Sequence, residues 1–438
     1  MVNNIKNKIY SIIFLIISIS LLFYTYYKSE IVWLGVRHNI YIQYYILSFI
    51  LIIISSVTFI LKKDTNQKIY LILSSIIIIF YLLETFLLSY EFYNKLNLDK
   101  NFQINNKIVD IDKRSKFEVY EEEKSKENLS LVFNHKSYFD ENSKLYILGG
   151  KSKTKHLYCN ESGYYSFFNS DRFGFRNDDR YWDKKELDLV FVGDSFGLNA
   201  CVNKSNTVVE KILNINSEIK LLNLSWDGNG PISNYAIFTE YMRNKKSKRL
   251  IWFFYPNDFE NLDYEKNNKI LIKYINKNNF SQNLKQKQNQ IDYIIENLIN
   301  KNFSEKIQNK NKNFKLVNFI KLQKLRSIIT YKSEPKYDLN LLKTVLKKTK
   351  NYAENNNIKT TFIYLPDFWE IKKNKQRKKK KILFTILEDL ELDYLDFFDY
   401  IYEIENPISI FPFESYGHYN EKGYDLLANF IYERVYQK

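Results

Sequence analysis

The chain is poor in the residues that build metal centres and disulfide frameworks, with two cysteines and four histidines among 438 residues. Two cysteines allow one bridge at most, and no Cys/His spacing here matches a zinc site. Acidic residues are in deficit too, 50 against 65 Lys and Arg, which leaves a net charge of +15. That surplus is not gathered into a compact basic motif, and no aromatic RNA-binding signature accompanies it, so nucleic acid is not an expected partner. The lysines are interspersed with Asn and Ile along the whole chain, and the Lys-rich stretches at 266–312 and 372–381 read as solvated helix faces.

What the chain does have is three long apolar runs near its start, at about 9–27, 40–61 and 69–90. Each is close to the roughly 20 apolar residues that cross a bilayer as a helix. The first lacks the small-residue cleavage site of a signal peptide and runs into Tyr24, Tyr26 and Tyr27, an aromatic cluster of the kind found at membrane interfaces. Lys6, Lys8, Lys62, Lys63 and Lys68 flank the spans on one side, and Lys28, Arg37, Lys95 and Lys100 on the other. The tight Lys62, Lys63 pair marks its side as cytoplasmic, and an odd number of spans then places everything after Tyr90 outside the cytoplasm. Glu84, inside the third run, is expected to snorkel towards the nearby interface. In an oxidising compartment Cys159 and Cys201 can form one disulfide, tying the segment before the main domain to the region after Ser195; two buried free thiols are the alternative.

The expected organisation is a membrane region at 1–95, an extracytoplasmic lead-in at 96–185 and an α/β domain at 186–438. The lead-in has no strong period and ends in a stretch punctuated by Gly, Asn and Asp, which reads as strands and turns. Beyond it, apolar runs alternate with helical patterns. Strands are expected at 187–192, 219–224, 249–255, 359–365 and 393–397, and helices near 207–215, 233–243, 341–355, 379–390 and 421–436. This is the pattern of a parallel sheet covered on both faces. Residues 261–340 interrupt it with Lys/Asn/Gln-rich amphipathic stretches, an inserted helical segment that is either a lid or a plain solvated insertion.

Four segments carry the chemistry: GDSFG around Ser195, DGNGP around Gly228, YPND around Asn257 and GHYNEKG around His418. In an open α/β sheet the ligand crevice lies beyond the carboxyl ends of the strands. Ser195, Gly228 and Asn257 follow the first, second and third expected strands, so all three can converge there. Ser195 at a turn into a helix has backbone N–H groups beside it for a developing oxyanion, Gly228 allows close approach to its backbone, and Asn257 offers an amide N–H. His418, in the loop before the last helix, can act as general base on Ser195.

These blocks resemble those of the SGNH subgroup of GDSL hydrolases, over about residues 187–438 without the insert. GDSF matches the nucleophile block, LLNLSWDG the glycine block, FFYPND the asparagine block and GHYNEKG the histidine block. The segment YCNESGYYSFFNSDRFGFRN is also similar to marine bacterial SGNH proteins with a membrane-spanning front end. The resemblance implies a flavodoxin-like three-layer sandwich with Ser195 as nucleophile and His418 as base. Gly228 and Asn257 would be the oxyanion donors, and no cofactor or metal would be needed. It implies an ester-bond hydrolase of the bacterial inner membrane whose substrate is an acyl ester of an envelope glycan, lipid or small molecule. Transfer of the acyl group to a sugar hydroxyl, or a non-catalytic binding or assembly role, are the alternatives. Two departures stand out. Pro256 replaces the usual Gly before the asparagine, and Ser415 occupies the place where the family has the Asp that orients its His. Glu414, Asp396 or a backbone carbonyl are the candidate replacements.

Overall fold

The computed structural model describes residues 2–32, 38–98, 103–104, 107–108, 111–134, 145–309, 316–329, 337–374 and 377–437. Its contacts divide the chain into two compact units, one of residues 1–101 with 314–332 and one of residues 102–313 with 333–438.

The first unit contains α1 (Val2–Tyr26), which continues through a wide turn at Tyr27–Val32, then α2 (His38–Val57) and α3 (Lys63–Leu98). All three are long and apolar enough to cross a membrane, over Ile9–Val32, Ile40–Val57 and Lys63–Tyr90. At most 17% of any of these windows is buried within the protein, so their Ile, Leu and Phe side chains face outward, as a lipid solvent requires. The helix boundaries differ from expectation mainly at the second turn. There α2 ends at Val57 and the chain reverses over the five residues before α3 begins at Lys63, held by the Asn66 amide donating to the Thr58 carbonyl.

Glu84 does not snorkel. It is buried, and its two carboxylate oxygens accept the backbone N–H groups of Lys324 and Leu325, at 2.9 and 2.7 Å. A carboxylate inside an apolar span gains more from two fixed donors than from a strained reach to water.

In the second unit the lead-in forms a small sheet in which β1 (Leu129–Leu131) runs parallel to β2 (Lys155–Leu157), which pairs antiparallel with β3 (Phe167–Asn169). The main sheet follows: β4 (Glu186–Val192), β5 (Leu221–Asn223), β6 (Lys246–Phe254), β7 (Lys359–Tyr364) and β8 (Asp393–Asp396). All five are parallel, in the order β8-β7-β6-β4-β5. This is a flavodoxin-like order, with its topological switch at β4, which lies between β5 and β6.

The near-continuous apolar strands divide their side chains between two cores. Val190, Leu222, Leu250, Trp252 and Phe362 pack on one face, and Leu189, Phe191, Leu221, Ile251 and Ile363 on the other. The first face is covered by Ile232, Ala236 and Ile237 of a helix at Pro231–Tyr241 and by Leu342, Val345 and Leu346 of a helix at Leu339–Asn355. The second is covered by Val208 and Ile212 of a helix at Val208–Ile215 and by Leu427 and Ile431 of a helix at Glu421–Ile431. The result is a three-layer α/β sandwich.

The 261–340 insert is not one body. Its helix Gln288–Asn309 buries Ile291, Ile295 and Ile299 in the core of the second unit and receives the lead-in. Asp292 accepts from the Ser152 backbone N–H and hydroxyl, and Gln288 donates to the Gly150 carbonyl. Residues 316–329 instead pack with the three apolar helices of the first unit. Propensity alone could not distinguish these fates, because both halves read as amphipathic helix.

The lead-in docks on the edge strand through a buried polar hub. Asp171 accepts from the backbone N–H groups of Phe173 and Phe175, the Asn177 amide and the Trp182 indole, all at 2.7–3.0 Å. Asn177 in turn bonds both the N–H and the carbonyl of Asn223 on β5. Asp171→Ala would strand four donors, one buried and three part-buried, at a cost of about 3 kcal/mol. Limited proteolysis of the full chain should then show the lead-in cut at least about a hundredfold faster, and Asp171→Asn should recover part of the loss.

Candidate active site

Strand β4 ends at Val192, and the chain turns through Gly193 and Asp194 into a four-residue helix, Ser195–Leu198. Asp194 caps that helix, its Oδ1 accepting the Phe196 N–H at 2.9 Å. Asn199, in the left-handed conformation at φ 61°, closes the helix, and the buried Arg176 holds the following loop by donating to the carbonyls of Asn199 and Val202. Ser195 is thus fixed at the first helical position, beyond the carboxyl end of the central strand.

His418 lies opposite. Its Nε2 is 2.8 Å from Ser195 Oγ and its Nδ1 is 2.9 Å from Glu161 Oε1, while its backbone N–H donates to Glu161 Oε2 at 2.6 Å. The Phe196 ring packs on the imidazole, with centroids 4.7 Å apart. Glycine at 417 is needed for this contact, since a Cβ there would stand 2.7 Å from Glu161 Oε2. Burial pulls the His418 imidazole down, but the hydrogen bond and charge of Glu161, with Asp227 and Asp194 nearby, outweigh it and hold the ring above its ordinary range. Burial pushes the Glu161 carboxyl up, and His418 more than reverses this, leaving it below the usual carboxylate range.

Glu161 is the residue that sequence reading did not find. It comes from the lead-in, two residues after Cys159, and Cys159 is bonded to Cys201, six residues after Ser195. The bridge delivers the carboxylate to the nucleophile's neighbourhood. The expected replacements for the missing Asp lie elsewhere. Glu414 accepts from the Asn406 amide at 2.9 Å, and Asp396 is engaged by the buried Lys380, so neither serves His418. Ser415 only donates to the Phe413 carbonyl.

Gly228 and Asn257 sit where their strands place them, beyond β5 and β6. Gly228 has φ 76°, and a Cβ on it would stand 1.9 Å from the Asn134 amide nitrogen, so both backbone angle and space require glycine. Its loop is tied to the nucleophile turn, because the Trp226 N–H and the Asn229 amide both donate to the Gly193 carbonyl at 3.1 Å. The Asn257 side chain faces Asp194, whose carboxyl burial raises to about 6 while the Phe196 N–H, His418 and the Asn257 amide oppose the shift. Next to it, burial and the proximity of Asp194 push the Asp258 carboxyl well up. The three oxyanion candidates and the nucleophile thus share one scaffold around Gly193 and Asp194.

Among the described residues, one cluster brings potential metal ligands together: Glu161, Cys201 and His418, with ligand atoms within 4.8 Å of one another. It does not suit a metal. The Cys201 sulfur is bonded to Cys159 and cannot act as a thiolate, and both imidazole nitrogens already have partners.

No protein-family model matches the chain, and no curated protein matches it. Similar solved structures include a protein assigned to the G-D-S-L lipolytic family from Desulfitobacterium hafniense, at 14% identity over 57% of this chain and 99% of that one, with a TM-score of 0.32. A lipase/acylhydrolase from Enterococcus faecalis is similar at 10% identity, over 57% and 95% of the two chains, with a TM-score of 0.34. A psychrotrophic esterase from Pseudoalteromonas is similar at 10% identity, over 58% and 98%, with a TM-score of 0.31.

The Glu161–His418 contact has a direct signature. In Glu161→Gln the imidazole loses the anion that stabilises its charged form, while the burial that opposes that form remains. Its pKa should fall from above 6.5 to below it, as read by titration of ¹³C-labelled histidine rings in the full chain. An unchanged titration would show that the carboxylate does not act on this ring.

Proposed function

We propose that this chain is a membrane-anchored serine esterase of the SGNH type, with Ser195 as nucleophile, His418 as general base and Glu161 as the carboxylate that orients and charges the histidine. The observation that carries the reading is the continuous relay from Glu161 Oε1 through His418 to Ser195 Oγ, with links of 2.9 and 2.8 Å. With its Nδ1 facing the carboxylate, the imidazole presents Nε2 as acceptor to the serine hydroxyl, which is the tautomer a general base needs.

In the first step His418 Nε2 takes the proton from Ser195 Oγ as the oxygen attacks the acyl carbonyl. The Ser195 and Gly228 N–H groups and the Asn257 amide receive the oxyanion. The imidazolium, stabilised by Glu161, then protonates the leaving alkoxide and the acyl group remains on Ser195. Water, deprotonated by the same Nε2, attacks the acyl carbonyl; the intermediate collapses by breaking the bond to Ser195 Oγ, which takes the proton back from Nε2 as the carboxylic acid leaves.

The exposed aromatic side chains support one substrate class. Tyr416, two residues before His418, is 68% exposed, and Trp369 is also exposed; both rings contact Phe368. An exposed ring two residues from the base suits the face of a sugar, which supports an acyl ester on an envelope glycan over a lipid ester. The same rings support a second reading, transfer of the acyl group to a sugar hydroxyl in place of water. The three apolar helices supply the anchor, and the Lys62, Lys63 pair together with the disulfide supports an extracytoplasmic, periplasmic second unit.

Full-length protein exposed to a fluorophosphonate probe should gain the mass of one adduct, absent in Ser195→Ala and slowed at least about a hundredfold in His418→Ala. No adduct at any pH would overturn the enzyme reading. Labelling should require neutral His418, so its rate should rise with pH through a midpoint above 6.5. Glu161→Gln should move that midpoint down while lowering the plateau about 10⁴-fold, the scale seen when a triad carboxylate is neutralised.

A further inference from the structure

Residues 316–329 lie in the sequence of the second unit but belong by their contacts to the membrane helices. They form two short helices, Leu316–Ile320 and Gln323–Ile329. The Tyr81 hydroxyl donates to the Ile320 carbonyl at 3.0 Å, with its ring 5.3 Å from Phe319. Lys321 stands 5.9 Å above the Tyr24 ring. Arg326 donates through Nε to the Tyr44 hydroxyl at 3.0 Å, its guanidinium 5.1 Å from that ring. Tyr24 is near the end of α1, Tyr44 near the start of α2 and Tyr81 in the later half of α3. The anchors on α1 and α2 thus flank the turn between those two helices, while Tyr81 lies nine residues before Tyr90, about 14 Å inside the third span, and reaches out through its hydroxyl.

The depth of this docking can be read from the helix rise of 1.5 Å per residue. Glu84, whose carboxylate takes the N–H groups of Lys324 and Leu325, lies six residues before Tyr90, the last residue of its apolar span, about 9 Å inside it. Tyr44 lies four residues after Ile40, about 6 Å inside the second span. Helices that lie in the plane of a bilayer bury their apolar face roughly 5–10 Å into the headgroup and acyl boundary. The surfaces agree with that depth. Val317, Ile320 and Ile328 are 56%, 55% and 65% exposed, apolar side chains left uncovered beside the outward-facing side chains of the spans. Lys321 and Arg326, with Asn318, Gln323 and Ser327, line an open concavity of about 330 Å³.

We propose that residues 316–329 are an in-plane element of the bilayer interface, latched by Glu84, and that the Lys321/Arg326 concavity binds the phosphate of an anionic phospholipid. The two cations attract the single negative charge of a phosphodiester, the guanidinium supplies parallel donors for its oxygens, and the Asn, Gln and Ser side chains add neutral donors. The neighbouring Ile and Val side chains lie in the acyl boundary. None of this depends on the chemistry at Ser195.

Two measurements on the full chain test it. With Ile328→Trp in nanodiscs made from lipids brominated early in the acyl chain, the added fluorescence should be strongly quenched. Emission equal to that in unbrominated discs would place the segment in water and overturn the proposal. In native mass spectrometry from detergent, phosphatidylglycerol should be retained over phosphatidylcholine, and Lys321→Gln/Arg326→Gln should reduce that preference about 30-fold, the effect of two interfacial cations. The same two substitutions made on the Ile328→Trp background should keep the quenching, showing that charge and not docking was lost. Equal retention by the double variant, or displacement of phosphatidylglycerol by millimolar inorganic phosphate, would overturn the lipid-phosphate assignment.

Discussion

The hydrogen bond between the His418 imidazole and the Glu161 carboxylate is the constraint on which the site depends. Its members are 257 residues apart in sequence, and each is shifted in pKa towards its charged form against the pull of burial. That balance holds only while the contact is made, because an imidazolium or a carboxylate left alone at this depth would be neutralised. Everything nearby serves to keep the two together: the disulfide two residues from Glu161, the glycine at 417 that clears its approach, and the Phe196 ring against the imidazole. The Asp171 hub does the same at longer range by fixing the lead-in to the edge of the sheet.

A second group of carboxyls works in the opposite sense. Asp194 and Asp258 are buried under the oxyanion side of the site, and both are pushed towards the neutral form. Asp194 caps the Ser195 helix through the Phe196 N–H and stands beside Asn257, so its burial is offset by the local geometry it fixes. The site thus holds one carboxylate charged beside the histidine and others suppressed beneath the serine, and desolvation and neighbours decide which is which.

Much of the fold could be read in the sequence for a plain reason. Parallel strands buried on both faces are near-continuous apolar runs, and the observed limits of β4, β6 and β7 lie within about three residues of those expected. Ser195, Gly228, Asn257 and His418 were legible because each sits at a strand end or a helix start, where local pattern fixes position. Glu161 was not, because it lies in an irregular lead-in whose placement comes from long-range contacts. The pairing of Cys159 with Cys201 was the one signal that pointed to it, and following that bridge two residues further would have reached the carboxylate. The division of the insert was hidden for a related reason. An amphipathic helix shows that it has an apolar face but not which surface covers it, and only the buried Glu84 distinguished the stretch that goes to the membrane helices.

The order of the relay along the chain, carboxylate first, nucleophile next and base last, bears on how the protein is made. Cys159, Glu161, Ser195 and Cys201 emerge close together, so the disulfide can close a 42-residue separation as soon as the first sheet strand exists, and the Ser195 turn can form with its carboxylate already in place. The base arrives only after the remaining strands and the insert have been laid down. A chain made only as far as Cys201 therefore holds Ser195 and Glu161 but not His418, so the relay stays open until the last loop before the final helix is in place.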